Sequence, residues 1–368
     1  MKIIVIGTYP PSLINFRGAL LARLAQKHDV IALANGASQV IQDELNALGV
    51  KYIDYPVSRS GFNPFKDIIT LHTYRKLFAV ENPDLVLSYT IKPIVWGGIA
   101  ARLCGVKGFI AMVTGLGYAF QKGGLLKKGL VSLVTNLYKV ALKSANAVIF
   151  QNPDNLKVFV DESIVPKKKC FLVNGSGVNL EKFTPAPLPV SNSFLLIARL
   201  LGDKGIREYY HAAKLVRQLY PQAIFNLVGP TDPSPDGIQF AEVEKWVSEG
   251  VIQYHGSTDD VRPFIESSRF FVLPSYHEGL PRTVLEAMAM SRPILTTNVP
   301  GCRETVINGE NGWMVDKEDA EQLAEKMIWM IEHPKKVDEM AKASLALVRE
   351  KFDVHKVNEE ILKIMEIS

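Results

Sequence analysis

Short runs of Val, Ile and Leu alternate with helix-length stretches from one end of the chain to the other. The apolar runs predict strands at Ile3–Ile6, Val30–Leu33, Leu85–Ser88, Phe109–Val113, Ala147–Phe150, Phe194–Ala198, Ile224–Val228, Ile252–Tyr254, Phe270–Leu273 and Pro293–Thr296. Strands that are apolar throughout, rather than alternating, are buried on both faces, and helices between them supply the cover. The pattern predicts an α/β protein of doubly wound parallel sheets.

A chain of 368 residues exceeds one ordinary core and predicts two domains of about 150–200 residues each. The stretch Thr184-Pro185-Ala186-Pro187-Leu188-Pro189-Val190-Ser191-Asn192-Ser193 has alternating prolines that favour an extended connector, and a fresh strand follows it. It divides the chain into an N-terminal domain over 1–184 and a C-terminal domain over 185–350. The tail, 351–368, contains an amphipathic helix over Val354–Ile367 whose candidate partner is the N-terminal domain. No apolar run is long and uninterrupted enough to predict a transmembrane helix. The segment Met1–Gly7 reads as a buried strand and a turn rather than a signal peptide.

Cys104, Cys170 and Cys302 are widely spaced and form no C-x-x-C pair, which argues against a disulfide framework or zinc site and fits a cytoplasmic location. The seven histidines show no paired ligand spacing, so no catalytic metal or other cofactor is expected. The net charge of +4 conceals an asymmetry. Residues 1–180 hold 21 Lys and Arg against 10 Asp and Glu, a charge of +11, and the remainder holds 21 against 28, a charge of −7. A basic half predicts an anionic partner.

Four stretches could carry chemistry. In Glu278-Gly279-Leu280-Pro281-Arg282-Thr283-Val284-Leu285-Glu286, a strand passes into a helix whose N-terminal amides suit a diphosphate, while the two glutamates suit sugar and ribose hydroxyls. In Ala198-Arg199-Leu200-Leu201-Gly202-Asp203-Lys204-Gly205, two cations lie just beyond a strand's carboxyl end, where open parallel sheets bind ligands. Arg199 offers a planar fork and Lys204 a point charge. The loop Gly7–Gly18 lacks the G-x-G-x-x-G fingerprint but offers hydroxyls, Asn15, Phe16 and Arg17 at a helix start. The fourth stretch, Thr114-Gly115-Leu116-Gly117, has glycines that permit close backbone approach. Beyond it, Lys122, Lys127 and Lys128 with Leu125, Leu126 and Leu130 form a basic amphipathic segment suited to anionic lipid. Each stretch also has a plainer reading as a solvated loop or packed helix.

On these residues the chain resembles the retaining GT-B glycosyltransferases of family four. The likeness rests on Pro274-Ser275…Glu278-Gly279-Leu280-Pro281…Glu286-Ala287, on Arg199 with Lys204-Gly205, and on Val299-Pro300-Gly301…Glu304-Thr305-Val306…Gly309…Asn311-Gly312. It implies two Rossmann-like domains facing across a cleft and a UDP-sugar donor used without a metal. By resemblance Arg199 and Lys204 grip the diphosphate, Gly279 and Leu280 add amide contacts, Glu278 touches the transferred sugar and Glu286 the ribose. More narrowly, Asn15-Phe16-Arg17, Ser58-Arg59-Ser60…Asn63-Pro64-Phe65 and Gly115-Leu116-Gly117 resemble a bacterial subgroup acting on undecaprenyl-diphosphate-linked saccharides. That subgroup implies N-acetylgalactosamine or a similar hexose, O-antigen or related surface-glycan assembly, an acceptor beside Asn15, Phe16, Arg17, Thr114 and Gly115, and peripheral attachment to the inner leaflet. Many members of the family place a histidine where Thr114 stands, so no general base is assigned. A hydrolysing sugar-nucleotide epimerase and a non-catalytic sugar-binding module are the competing readings. A nucleic-acid partner is not expected.

Overall fold

The computed structural model describes residues 1–57, 63–116 and 125–366, with residues 125–128 described by backbone alone. The chain forms two compact units, Met1–Ser176 with Val357–Ser368, and Gly177–Lys356.

The first unit contains β1 (Lys2–Ile6), β2 (Asp29–Ala34), β3 (Val50–Asp54), β4 (Leu85–Tyr89), β5 (Gly108–Val113), β6 (Ala147–Phe150) and β7 (Cys170–Leu172). They lie in the order β3-β2-β1-β4-β5-β6-β7, and each neighbouring pair is parallel. The second unit contains β8 (Ser193–Ile197), β9 (Ile224–Val228), β10 (Gln253–Tyr254), β11 (Phe270–Leu273), β12 (Ile294–Thr297) and β13 (Gly312–Val315). Their order is β10-β9-β8-β11-β12-β13, again all parallel. These are the two doubly wound sheets expected from the sequence.

Alternate side chains of a strand point to opposite faces, and both faces are filled. Ile4 and Ile6 join Tyr74, Phe78 and Tyr138 on one side of the first sheet; Ile3 and Val5 join Leu20, Leu21 and Leu24 on the other. In the second unit Phe194 and Leu196 pack with Tyr209, Trp246 and Met327, while Leu195 and Ile197 pack with Val284, Leu285 and Phe352.

The division falls at Ser176/Gly177, ahead of the proline stretch expected to mark it. Val178 and Phe183 already belong to the second core, and Val178 exchanges backbone hydrogen bonds with Phe352 and Val354. The prolines are strapped down rather than spanning a gap. Buried Arg292 donates to the carbonyls of Ala186 (3.0 Å) and Pro187 (3.1 Å), and Arg269 to that of Pro189 (2.8 Å). The last helix, Val354–Ile364, sends Val357 and Ile361 into the core of the first unit, and Met365 joins them just beyond its end.

Both sheets reverse their winding between adjacent strands, β1 and β4 in the first, β8 and β11 in the second. Beyond the carboxyl ends of such a strand pair the loops diverge and leave room for a ligand.

Candidate active site

At the reversal point of the second sheet, the loops after β8, β11 and β12 are laced by backbone contacts. Tyr276 N–H donates to Asp203 O (2.8 Å) and Glu278 N–H to Pro300 O (3.0 Å). Two glycines make this closeness possible. Gly205 has φ +68°, and a Cβ there would lie 2.1 Å from Pro274 O; Gly301 has φ +87°, and its Cβ would lie 2.4 Å from Glu278 O. Only glycine tolerates both the left-handed backbone and the contact.

Lys204 and Glu278, 74 positions apart in sequence, meet here with Nζ 2.6 Å from Oε1. Both are largely enclosed, with side-chain exposures of 14% and 17%. The same carboxylate oxygen accepts from Ser275 Oγ at 2.8 Å. Burial pulls the Lys204 pKa down, but Glu278 and Asp203 outweigh it and leave the ammonium's pKa above its ordinary value. Asp203 is raised, chiefly by burial and against the pull of Lys204 and His277, whose Nε2 stands 3.6 Å from Asp203 Oδ2. Beneath them Cys302 is fully buried, its thiol pushed up to about 12 by burial and by Glu278.

Glu286 sits on the helix Arg282–Ala289, which opens from Pro281 and places the amides of Gly279 and Leu280 just ahead of its first turn. Arg282 Nε donates to Glu286 Oε1 at 2.8 Å. Burial raises the Glu286 pKa, partly offset by Arg282. Arg199 pairs with Asp232 on the loop after β9, at 2.5 Å, and remains 47% exposed. The residues singled out in this half therefore stand on loops at one carboxyl edge or, for Glu286, on the helix that follows β11, with the cations and acids already in ion pairs. Asp203 was legible as the neighbour of Lys204. Asp232 carries no local signal for its role, because its partner Arg199 comes from a distant loop, whereas Ser275 stands in the same motif as its partner Glu278, three residues away.

At the first sheet's reversal point the contacts are different. The loop after β1 forms a short helix, Pro10–Asn15, and a second, Gly18–Ala25, with Arg17 between them, rather than one helix starting near Asn15. Ser12 Oγ donates to Tyr9 O (2.5 Å) and hydrogen-bonds the Tyr89 hydroxyl (2.8 Å). Arg17 is buried, with its guanidinium 5.3 Å from the centre of the Tyr89 ring. Burial pushes the Tyr89 hydroxyl up to about 12. Asn15 and Phe16 are exposed, and Thr114 and Gly115 are half-buried at the end of β5. Thr90, which follows β4, was missed. Its φ of +69° and ψ of 161° are backbone angles costing about 1–3 kcal/mol for a residue with a side chain, and its buried Oγ1 has no hydrogen-bond partner among the described residues.

Ser58, Arg59, Ser60, Gly117 and Lys122 lie outside the described residues, as do the side chains of Lys127 and Lys128. Among the described residues no helix is long and apolar enough to cross a membrane, and no cluster of His, Cys, Asp and Glu has metal-ligand geometry.

Comparison with known proteins agrees with this layout. The family pattern "Glycosyl transferases group 1" matches residues 191–333, and "Glycosyl transferase 4-like" matches residues 14–152. The chain is 30% identical over 339 residues to the N,N'-diacetylbacillosaminyl-diphospho-undecaprenol alpha-1,3-N-acetylgalactosaminyltransferase of Campylobacter jejuni, covering 88% of each chain. It is 27% identical to the UDP-Gal:alpha-D-GlcNAc-diphosphoundecaprenol alpha-1,3-galactosyltransferase of Escherichia coli, over 72% of this chain and 70% of that one. Anabaena HepE in complex with UDP-glucose shares the fold at TM-score 0.81 and 17% identity, over 100% of this chain and 99% of HepE. Two doubly wound units, a paired Lys204 and Glu278 at the second reversal point and these likenesses lead to one assignment: the chain belongs to the group 1, GT4-like glycosyltransferases and has the GT-B fold.

Proposed function

We propose that this glycosyltransferase moves N-acetylgalactosamine or a related hexose from a UDP-sugar to an undecaprenyl-diphosphate-linked saccharide, with retention of anomeric configuration, during surface-glycan assembly. The observation that carries the reading is the Lys204–Glu278 pair at the reversal point of the second sheet. In this reading the donor diphosphate displaces the carboxylate from the ammonium, and Glu278 turns its lone pairs to hydroxyls of the sugar. Arg199, Lys204 and the amides of Gly279 and Leu280 then face the charge that grows on the departing diphosphate, the situation in which fixed donors contribute most. Glu286 takes the ribose hydroxyls. The loops holding Asn15, Phe16, Arg17, Thr114 and Gly115 receive the acceptor.

The names of the Campylobacter and Escherichia relatives support the acceptor class, and both specify an alpha linkage, which is retention when the donor is an alpha-linked UDP-hexose. The charge of +11 over residues 1–180 suits an acceptor carrying a diphosphate at an anionic cytoplasmic leaflet. The test is a panel of UDP-sugars incubated with undecaprenyl-diphosphate-linked mono- and disaccharides, the product's anomeric configuration being read by NMR. One UDP-hexose or UDP-N-acetylhexosamine is expected to dominate and to give an alpha product. A beta product, or donor consumption only to free epimerised sugar, would overturn the reading.

A further inference from the structure

The helix Pro64–Glu81, capped by Asn63 with Pro64 in its first turn, carries large apolar residues on both its inner and its outer face. Its inner face buries Asp67, Thr70, Tyr74 and Phe78, while Phe65 is 82% exposed, Ile68 61% and Ile69 54%. Helical spacing of i, i+3, i+4, i+7 and i+11 places Phe65, Ile68, Ile69, His72 and Lys76 in one outward stripe, about 16 Å long at the α-helical rise per residue. Arg75 and Lys66 flank it, both exposed. Its acids are both taken inward. Asp67 pairs with Lys92 at 2.9 Å, and Glu81 with Lys2 and Lys51, each at 3.0 Å. The outward face is therefore apolar at its start, cationic towards its end and without a carboxylate.

We infer that this face of the helix Pro64–Glu81 docks the enzyme on an anionic phospholipid leaflet, with Phe65, Ile68 and Ile69 entering the interface and Lys66, Arg75 and Lys76 meeting phosphate headgroups. A soluble protein gains nothing by presenting two isoleucines and a phenylalanine to water in one stripe, whereas an interfacial helix needs that stripe with cations beside it. The choice of lipid over protein follows from charge: cations that no acid opposes among the described residues complement a leaflet of anionic headgroups. Position agrees. The apolar end of the helix lies at the carboxyl edge of the first sheet, tied through Asp67 to Lys92 in the first turn of the helix after β4. This inference rests on the reading that the acceptor is lipid-linked, since docking here brings the acceptor loops to the leaflet that holds it.

The test is flotation of the full chain with vesicles of phosphatidylcholine alone or mixed with phosphatidylglycerol. The wild type is expected to float with the anionic vesicles. The variant Phe65→Ser/Ile68→Ser/Ile69→Ser should lower partitioning roughly tenfold or more, because inserted apolar area sets interfacial affinity. Lys66→Gln/Arg75→Gln/Lys76→Gln should lose several-fold, and only on anionic vesicles at low salt. Transfer to a water-soluble short-chain acceptor should be unchanged in both. Wild-type flotation of the apolar variant, or a dimer in solution that this variant dissociates, would overturn the proposal. Loss of flotation with no transfer to any lipid-diphosphate acceptor would keep the docking face and overturn the acceptor reading instead.

Discussion

The two units repeat one topology and answer it with different chemistry. At the reversal point of the first sheet, Arg17 faces an aromatic ring, and the hydroxyls of Ser12 and Tyr89 bond to each other. At the equivalent place in the second, Lys204 faces Glu278, and Arg199 faces Asp232. Strand order decides where a ligand goes, and the loop residues decide which. Rings and hydroxyls around an enclosed guanidinium suit a saccharide with an anionic group. Cations held by carboxylates suit a diphosphate that can replace those carboxylates. The contrast extends inward, since the second unit also encloses Arg292, whose guanidinium burial pulls down to about 10.

The largest expected effect tests whether the two units are separate cores. Arg292 donates to the carbonyls of Ile265 (2.8 Å), Ala186 (3.0 Å), Pro187 (3.1 Å) and Glu266 (3.2 Å). Arg292→Met fills the volume but leaves those acceptors unanswered, and should cost the second unit about 3–5 kcal/mol. Two thermal transitions are expected, with the second unit's lowered and the first unit's unmoved. A single transition falling as a whole would show that the units unfold together.

Next in size is Lys204→Ala. Removing one fixed cation from a developing oxyanion costs about 2–4 kcal/mol of transition-state stabilisation, read as a loss of kcat/KM for the UDP-sugar. KM for the acceptor should be unchanged if the charge chemistry belongs to the second edge alone. Wild-type kcat/KM at subsaturating donor would remove Lys204 from the site.

What the sequence shows of this arrangement follows from burial. Interior strands such as Ile3–Ile6 and Phe270–Leu273 are apolar throughout and are legible. The strands overlooked, Val50–Asp54, Cys170–Leu172 and Gly312–Val315, all lie at sheet edges. An edge strand is covered less completely, and the polar Lys51 and Asp54, the half-exposed Cys170 and the leading Gly312 break the apolar run. The candidate site residues were legible as motifs at a strand end or on the helix that follows it, one at a time. Their pairing was not: Arg199 with Asp232 and Lys204 with Glu278 join loops that only the sheet order brings together. The proline stretch at 184–193 was misleading because nothing local announces that Arg292 and Arg269 hold it down.

A smaller effect is expected in the first unit. Tyr89→Phe keeps the ring under Arg17 and removes only the hydroxyl bonded to Ser12. Loss of one buried hydrogen bond should lower the first unit's stability by about 1 kcal/mol, read from its denaturant midpoint, and leave UDP affinity in calorimetry unchanged. Weakened UDP binding in this variant would mean that the two edges do not divide the substrates between them.

The smallest effect concerns pH, and it separates a buried acid from a buried cation. Burial raises the Glu286 pKa in the folded protein, so the native state holds this proton more tightly than the unfolded chain does. Stability from this group is then fully present below the ordinary glutamate value of about 4.3 and is lost as pH rises through the higher folded value. Glu286→Gln removes that slope, so urea midpoints of the two proteins should draw together at low pH and diverge, in the variant's favour, as pH rises. Arg282 offsets part of the burial, which keeps the difference small. Parallel curves would mean that Arg282 cancels the burial completely. Glu286 would then be an ordinary ionised acid, held ready for hydroxyls at no cost to the fold.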